Sequence, residues 1–377
     1  MPATTLNRRT FSVAAGAAAV AGFRTAKAQS DGKIILGQSA PFTGPAAQLG
    51  IQFHQGAKIY FDQVNAQGRQ QIEIRKLDDG YEPARCAENT QKLIADDVFA
   101  LFGYVGTPTS LVALPLATRA RIPFFAPFTG AMALRDPFNR YAFHIRASYN
   151  DETALIVKQQ TNLGLKKIAD FHQNDAYGKA GLDGVLLALG RQNLLPVAQA
   201  TVERNSVDVA AAVKTLVAAG PDTVVQIGAY KACAAFIREA RKAGYGGTFY
   251  NVSFVGTQAL ADELGKEAAG VVVSQVMPSP YNPARAVARE FGDAVKAAGG
   301  GAQANFSSME GYLAAKVFVE GLRRAGGRPN RESLVAGLEG IGSQSFGGFS
   351  VRFSPSDHVA SSFVELSMLT GDGRVRT

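Results

Sequence analysis

The chain has 377 residues, of which 46% are hydrophobic and 19% charged, a composition typical of packed globular lobes and not of a disordered polypeptide. The net charge of +8 falls to +4 once the first 28 residues are removed, and the remaining charges are scattered, so nucleic acid is excluded as an expected partner. Two cysteines and four histidines show no metal-ligand spacing, so neither a metal nor a cofactor is expected.

The first 28 residues have the pattern of an export signal. Arg8 and Arg9 precede a small, apolar run that ends near Phe23, and Ala26-Lys27-Ala28 is a small-x-small cleavage site. The adjacent arginines, with Phe11 two residues later, resemble a twin-arginine signal, although ordinary Sec export stays open. Since the apolar run is too short to span a bilayer, we expect cleavage after Ala28 and a mature protein free in the periplasm.

The body of the chain alternates short apolar strands with amphipathic helices, which predicts an α/β protein with parallel sheets joined by right-handed crossovers. Strands are predicted over 33–37, 72–77, 99–102, 122–126, 167–171, 196–202, 223–227 and 248–252. Helices are predicted over 49–65, 83–96, 108–119, 178–191, 207–219 and 232–243.

Ligands of open α/β sheets lie beyond the carboxyl ends of the strands, so polar residues at those ends are the candidate site. In the first half of the chain, Thr107 fits a helix N-cap before Pro108, and free amides there favour an anion; an ordinary cap is the alternative. After the strand 122–126, Phe128, Thr129 and Gly130 form a second candidate at the entry to a predicted helix, or else a turn beside a core ring.

Further candidates lie in the middle and second half of the chain. Tyr149 and Asp151 would reach the site where the chain passes between two lobes, although Asp151 is equally suited to cap the next helix. Tyr177 would stack on a ligand or donate a hydrogen bond to it, unless it only packs in the core. Tyr230 and Ser253 follow two later strands. All these residues fall on the same kind of sheet edge.

Several segments together resemble the branched-chain amino-acid binding proteins, that is, the leucine/isoleucine/valine-type periplasmic binding proteins. They are 35–44 (ILGQSAPFTG), Asp78-Asp79, Tyr177-Gly178 and the helix 237–244, and the similarity runs from about Lys33 to Glu365. The resemblance implies the type I fold: two Rossmann-like lobes with parallel sheets flanked by helices, joined by three crossings. We place the N-lobe at 29–149 plus 279–355 and the C-lobe at 150–278 plus 356–377. Cys86 and Cys233 then lie in different lobes and are expected to be unpaired.

The resemblance also assigns roles. Thr107 and the turn Phe128-Thr129-Gly130 would hold a ligand carboxylate, and Asp151, Tyr177, Tyr230 and Ser253 would face it from the other lobe. Members of this family usually carry an acid where Ser253 stands, to pair with a ligand ammonium, so a ligand without an amino group is one expectation. Gly106 stands where one partner of the family's frequent disulfide would be, and the hydroxyl of Thr129 is one position earlier than usual.

The sequence therefore predicts a binding protein that is not an enzyme. It would deliver a small carboxylate, either an amino acid or an aromatic acid, to an ABC permease in the inner membrane, and it would be a monomer, as the family usually is. A periplasmic sensor subunit for a membrane receptor would have the same fold and cleft. An exported α/β enzyme is disfavoured, because the chain has no G-x-S-x-G elbow, no H-E-x-x-H helix and no P-loop.

Overall fold

The computed structural model describes residues 32–68 and 70–377, so the predicted signal peptide lies outside the described residues. The N-lobe is built on β1 (Lys33–Ala40), β2 (Gln71–Asp78), β3 (Ala100–Phe102), β4 (Phe124–Phe125) and β5 (Ala142–Phe143). These strands form one parallel sheet in the order β2-β1-β3-β4-β5. Because the strands are parallel, their carboxyl ends meet at one edge of the sheet.

Helices cover both faces of this sheet. The early ones are α1 (Ala47–Ala66), α2 (Pro83–Ala95) and α3 (Thr107–Arg119). After the chain has formed the C-lobe it returns to add α9 (Ala286–Ala298), α10 (Phe306–Ala325) and α11 (Arg331–Glu339), followed by the hairpin β11 (Gly342–Phe346) and β12 (Phe349–Phe353). Helix α10 packs between α1 and α11, so the two separated parts of the chain share one core.

The C-lobe is built on a seven-stranded sheet. Its parallel strands are β6 (Ile168–Gln173), β7 (Gln199–Val202), β8 (Thr223–Ile227), β9 (Thr248–Asn251) and β10 (Val272–Gln275), and its antiparallel strands are β13 (Glu365–Leu369) and β14 (Val375–Arg376). The order is β14-β13-β10-β9-β8-β6-β7. The helices are α4 (Tyr149–Asn162), α5 (Ala176–Gly190), α6 (Ala210–Ala218), α7 (Tyr230–Lys242) and α8 (Thr257–Leu264).

The chain passes between the two sheets three times. The first passage lies between β5 and α4, the second between β10 and α9, and the third between β12 and β13. The third passage is held to the end of β5, since the His144 amide donates to the His358 carbonyl at 2.8 Å and the Ala360 amide donates to the His144 carbonyl at 2.8 Å. The predicted architecture of two α/β lobes with three crossings is confirmed.

Each lobe has its own aromatic core. In the N-lobe, the ring of Phe102 stacks on Phe125 at 5.9 Å between centroids, and Phe318 of α10 meets both rings edge-on. In the C-lobe, Phe171 and Phe236 stack at 4.3 Å. Cys86 and Cys233 are buried and free, as predicted. No helix within 32–68 or 70–377 combines the length and hydropathy needed to cross a membrane.

The contact between α1 and α10 depends on two glycines. A Cβ at Gly56 would lie 1.8 Å from the Ser308 carbonyl oxygen, and a Cβ at Gly311 would lie 2.0 Å from the Phe53 carbonyl oxygen. Real Cβ atoms do not approach backbone so closely, so the two helices can pack at this distance only where both positions lack a side chain. This backbone-to-backbone contact joins the early and late segments of the N-lobe.

Most predicted elements are present with shifted ends, and one prediction is wrong. Strand β7 begins three residues later than predicted, helix α6 begins at Ala210 instead of 207, and β4 keeps only two residues of 122–126. The helix predicted after Thr129 is replaced by a 3-10 turn at Met132–Leu134. The reason is that the Arg135 guanidinium binds the carbonyls of Thr129 and Ala131, which a helix would use for its own hydrogen bonds.

Asp78 at the end of β2 organises the turn beside α1. Its carboxylate accepts hydrogen bonds from the amides of Phe42, Thr43 and Gly80 at 2.7–3.1 Å and from the Thr43 hydroxyl at 2.7 Å. Although partial burial acts in the opposite direction, these donors lower the pKa of Asp78 from its ordinary value of 3.8 to about 2. The charged carboxylate therefore stabilises the folded state.

We expect Asp78→Asn to lower the free energy of unfolding by about 2 kcal/mol at pH 6. Because the pKa of Asp78 is depressed on folding, its contribution is complete above pH 3.8 and is lost as the pH falls through about 2. Urea unfolding of both proteins between pH 6 and pH 3 should show the difference shrinking below pH 4. Asp62→Asn, in the exposed pair with Lys58, is the control and should cost less than about 0.5 kcal/mol. A difference that does not vary with pH would contradict this role for Asp78.

Candidate functional site

Two threonine hydroxyls meet at the carboxyl edge of the N-lobe sheet. The Oγ1 atoms of Thr107, in the first turn of α3, and Thr129, after β4, lie 2.7 Å apart, and both residues are buried. The Thr129 hydroxyl also accepts the Ala131 amide at 3.2 Å. No side chain caps α3, whose N-cap is Gly106 at φ 102°. The free amides of that first turn and the two hydroxyls together favour an anion.

Tyr149 adds an unpaired hydroxyl to this group. It begins α4, at the first passage between the lobes, and its ring lies over Gly130, where a Cβ would come within 2.6 Å of the ring. The side chain is fully buried, and its Oη has no hydrogen-bond partner among the described residues. Burial raises the pKa of Tyr149 to about 12, although Arg146 and the nearby Thr129 hydroxyl act in the opposite direction, so the group is a neutral O–H donor. A buried donor without a partner is costly, and a ligand oxygen would satisfy it.

Five aromatic side chains close the space between the lobes above these hydroxyls. We call them the aromatic cage; they are Tyr81, Phe128, Tyr149, Tyr177 and Phe254. Phe254 of the C-lobe is central, with ring centroids 4.4 Å from Tyr177, 5.7 Å from Phe128 and 5.8 Å from Tyr81. Tyr149 and Tyr177 lie 5.5 Å apart. Each cage residue is at most 1% exposed, so in this closed arrangement the rings fill the cleft and a ligand can enter only when the lobes separate.

A buried polar network runs beside the cage from one lobe to the other. The Arg146 guanidinium forms a two-pronged ion pair with Glu310 of α10, at 2.8 and 2.7 Å, and donates to the Ser253 hydroxyl at 3.2 Å. The Ser253 hydroxyl donates to Glu152 at 3.0 Å. Arg146 also stacks over the Phe128 ring, with 4.0 Å from Cζ to the ring centroid. Ser253 is therefore the polar link between a buried cation and a buried acid.

Burial shifts the ionisation of these groups. Desolvation raises the pKa of Glu152 above its ordinary value, although Arg146 and the donors at Ser253 and Ser274 act in the opposite direction. Desolvation lowers the pKa of Arg146, but the charge and hydrogen bonds of Glu310, together with Tyr149 and Glu152, outweigh it and leave that pKa raised, so Arg146 stays charged.

Two predicted site residues have other partners. The carboxylate of Asp151 accepts from the amide and hydroxyl of Ser148 and closes the capping box of α4, which is the alternative that the sequence had left open. Tyr230 lines a separate interlobe groove of about 640 Å³, beside Gln48 of α1 and Asp262 of α8. The structure thus gathers Thr107, Phe128, Thr129, Gly130, Tyr149, Tyr177 and Ser253 at one place, with Asp151 and Tyr230 at its margins.

Residues that sequence reasoning missed complete the site. Tyr81 follows the end of β2 and Phe254 follows Ser253, so the strand-end rule could have found both. Arg146 and Glu310 are separated by 164 positions and carry no shared local signal. Within the described part of the chain, no group of three acidic, histidine or cysteine side chains is placed to hold a metal ion.

The rim of the cleft carries further contacts between the lobes. Arg204, beyond β7, pairs with Glu82 at 2.9 Å, and the Asn205 amide donates to the Gly80 carbonyl at 3.0 Å and to Glu82 at 2.7 Å. The Gln173 amide donates to the Tyr81 hydroxyl at 3.3 Å. These bonds all join the turn after β2 to the C-lobe, so they form only when the lobes are closed.

Comparisons with known proteins agree with this fold. A family model described as periplasmic binding protein matches residues 33–373. A Leu/Ile/Val-binding protein homolog from Brucella melitensis is 25% identical over 331 residues, covering 85% of this chain and 86% of the relative. Among solved structures, a "possible leucine/isoleucine/valine-binding protein" from Rhodopirellula baltica has a TM-score of 0.87 at 35% identity, covering 91% of this chain and 95% of that one. A substrate-binding periplasmic protein from Ralstonia solanacearum has a TM-score of 0.86 at 29% identity, covering 91% and 99%.

Two lobes that enclose a buried cleft define a class of ligand-capturing proteins, and the family match extends over nearly the whole described chain. The chain belongs to the periplasmic binding proteins of the type I fold, in the branched-chain amino-acid family. The resemblance seen in the sequence is therefore confirmed. The relatives reported above are named as binding proteins.

Proposed function

We propose that this protein is the periplasmic substrate-binding component of an ABC importer and that it captures a small carboxylate ligand between its lobes. The ligand is a branched-chain or other amino acid, or an aromatic acid. The observation that carries the proposal is the buried set of hydroxyls at Thr107, Thr129 and Tyr149, the last of them unpaired, directly beside the aromatic cage. Hydroxyls and helix amides suit a carboxylate, and the rings suit an apolar body.

The protein would act by hinge closure and carry out no chemistry of its own. A ligand enters the open cleft, and closure forms the rim contacts of Arg204 and Asn205 with Glu82. We propose that the closed pair of lobes is the surface that an inner-membrane permease recognises. Export with cleavage after Ala28, a monomeric mature protein, and lobe boundaries near residues 149, 278 and 355 are parts of the same proposal.

The test is a thermal-shift screen of residues 29–377 against amino acids, aromatic acids and the neutral amides of the same compounds. A carboxylate at 1,000 times its dissociation constant should stabilise the folded state by about 4 kcal/mol, and the amides should bind more weakly. Small-angle scattering with the best ligand should show a more compact particle. Stabilisation by no carboxylate, or by amides equally well, would contradict the proposed ligand class.

Thr107→Val tests the anion site directly. Removal of a hydroxyl that donates to a charged oxygen should weaken carboxylate binding by about tenfold, since such hydrogen bonds contribute roughly 1.5–3 kcal/mol. Thr118→Val is the matched control, because Thr118 lies in the last turns of the same helix and its hydroxyl donates to the Leu114 carbonyl. Equal loss of binding in both variants would mean that the hydroxyl of Thr107 has no special role.

A further inference from the structure

The acids next to Tyr81 and Tyr177 are fully engaged by the protein itself. Asp175 caps α5: one carboxylate oxygen accepts the amides of Tyr177 and Gly178, and the other accepts from the Gln173 amide at 2.6 Å and from Arg204 at 3.3 Å. Its four acceptor positions are therefore filled. This carboxylate therefore has no free acceptor position for a positive group on a ligand.

The two acids that flank Tyr81 along the chain are engaged as well. Asp79 accepts the Ser39 hydroxyl at 2.8 Å on one oxygen and the Tyr81 amide at 2.8 Å on the other. Glu82 accepts Arg204 on one oxygen and the Asn205 amide on the other. Both carboxylates hold the turn after β2 in its place.

Glu152 lies beside Ser253, and both of its oxygens also accept hydrogen bonds from the protein. One oxygen accepts the Ser253 amide at 2.7 Å and the Ser274 hydroxyl at 2.5 Å, and the other accepts the Ser253 hydroxyl at 3.0 Å. Ser253 occupies both of its oxygens, and a ligand ammonium would first have to displace that residue.

The charge that stands at the cage is positive. Arg146 lies with its guanidinium 4.0 Å from the centroid of the Phe128 ring, and only 1% of the residue is exposed. Glu310 binds this guanidinium with both oxygens, so its negative charge is already paired with Arg146. An ammonium brought into the cage would lose its water, find no free carboxylate and face Arg146.

We propose that the cleft selects carboxylates that carry no ammonium group, such as aliphatic or aromatic monocarboxylates, over the corresponding α-amino acids. The inference rests on the proposed function, because it takes for granted that a carboxylate binds between the lobes. The hydroxyls of Thr107, Thr129 and Tyr149 receive the carboxylate, the cage receives the apolar body, and the engaged acids leave the amino-acid ammonium without a partner.

Matched pairs of ligands that differ only in the amino group test this. Titration calorimetry of wild-type residues 29–377 would compare leucine with 4-methylpentanoate, phenylalanine with 3-phenylpropanoate, and tyrosine with 3-(4-hydroxyphenyl)propanoate. The protein is first unfolded, dialysed and refolded, so that any ligand carried from the cell is removed. The amines 3-methylbutylamine and 2-phenylethylamine complete the set as probes without a carboxylate.

We expect at least one deaminated acid to bind at least about 100-fold more tightly than its amino-acid partner, and the amines not to bind. Equal or tighter binding of the amino acid in every pair that binds would overturn the inference while leaving the proposed carboxylate site intact. Failure of every acid and amino acid to bind a protein shown to be folded by circular dichroism would overturn both. Binding of the amines would show that an unpaired acid does face the cleft, and would also overturn the inference.

Discussion

Glu310→Ala is expected to destabilise the protein by about 3–5 kcal/mol. The substitution removes the only carboxylate bonded to the Arg146 guanidinium in the described part of the chain, and Arg146 is 1% exposed. Its remaining contacts are the Ser253 hydroxyl and the face of the Phe128 ring. A buried cation that has lost its carboxylate partner lowers the free energy of unfolding by far more than the intact ion pair raises it. The expected effect is therefore large.

The Arg140–Glu332 ion pair provides the matched control. Its atoms lie 2.7 Å apart, as in the buried pair, but its side chains are 50% and 52% exposed, so Glu332→Ala should cost less than about 1 kcal/mol. The double variant Arg146→Met with Glu310→Leu should recover much of the stability lost in Glu310→Ala, since it removes the buried cation together with its carboxylate partner. Denaturant unfolding of the four proteins measures these differences. Equal losses for Glu310→Ala and Glu332→Ala would show that Arg146 finds another partner.

Gly311→Ala is expected to cost about 3 kcal/mol, because the new methyl group would lie 2.0 Å from the Phe53 carbonyl oxygen and force α1 and α10 apart. The clash involves backbone, which cannot move aside as a side-chain end would. Gly56→Ala, with its Cβ 1.8 Å from the Ser308 carbonyl oxygen, should behave in the same way. Because the two helices join the early and late segments of the N-lobe, we expect the loss to appear as a lower midpoint of the whole N-lobe transition.

The control for this prediction is Gly292→Ala in α9. Gly292 is also helical, but nothing lies within 4 Å of its Cβ position, so alanine should stabilise the protein by about 0.5–1 kcal/mol through helix propensity alone. The two alanines should therefore change stability in opposite directions in thermal and denaturant unfolding. Stabilisation by Gly311→Ala would mean that α1 and α10 pack less closely than the structure indicates.

Most strands and helices of the two lobes were predictable because local sequence patterns determine them. Alternation of apolar residues and helical spacing are properties of neighbouring residues, so β1 to β4, β6 to β9 and six of the helices could be placed to within a few positions. The strand-end rule then pointed to Thr107, Phe128, Tyr149, Tyr177 and Ser253, which the structure brings to one cleft. The rule works because parallel strands end at a common edge whatever their side chains are.

A single residue can also suit two different roles, and the sequence pattern alone does not decide which role it takes. Asp151 suited both a ligand and a helix cap, and the cap formed because the Ser148 amide and hydroxyl lie three residues away with no loop to close. Tyr230 follows a strand like the others, yet it lines a separate groove beside Gln48 and Asp262.

The sequence by itself determined the α/β class and the sheet edge on which the candidate site lies, because these depend on short-range periodicity and on the order of elements. Its motifs resembled one family, and that resemblance implied the two lobes. Only the tertiary structure decided the charge of the cleft. Arg146 meets Glu310 across 164 positions, and Ser253 meets Glu152 across 101, so no local pattern could pair them. Buried charges must find partners wherever the fold brings them, and Arg146 and Glu152 found theirs in residues far away along the chain.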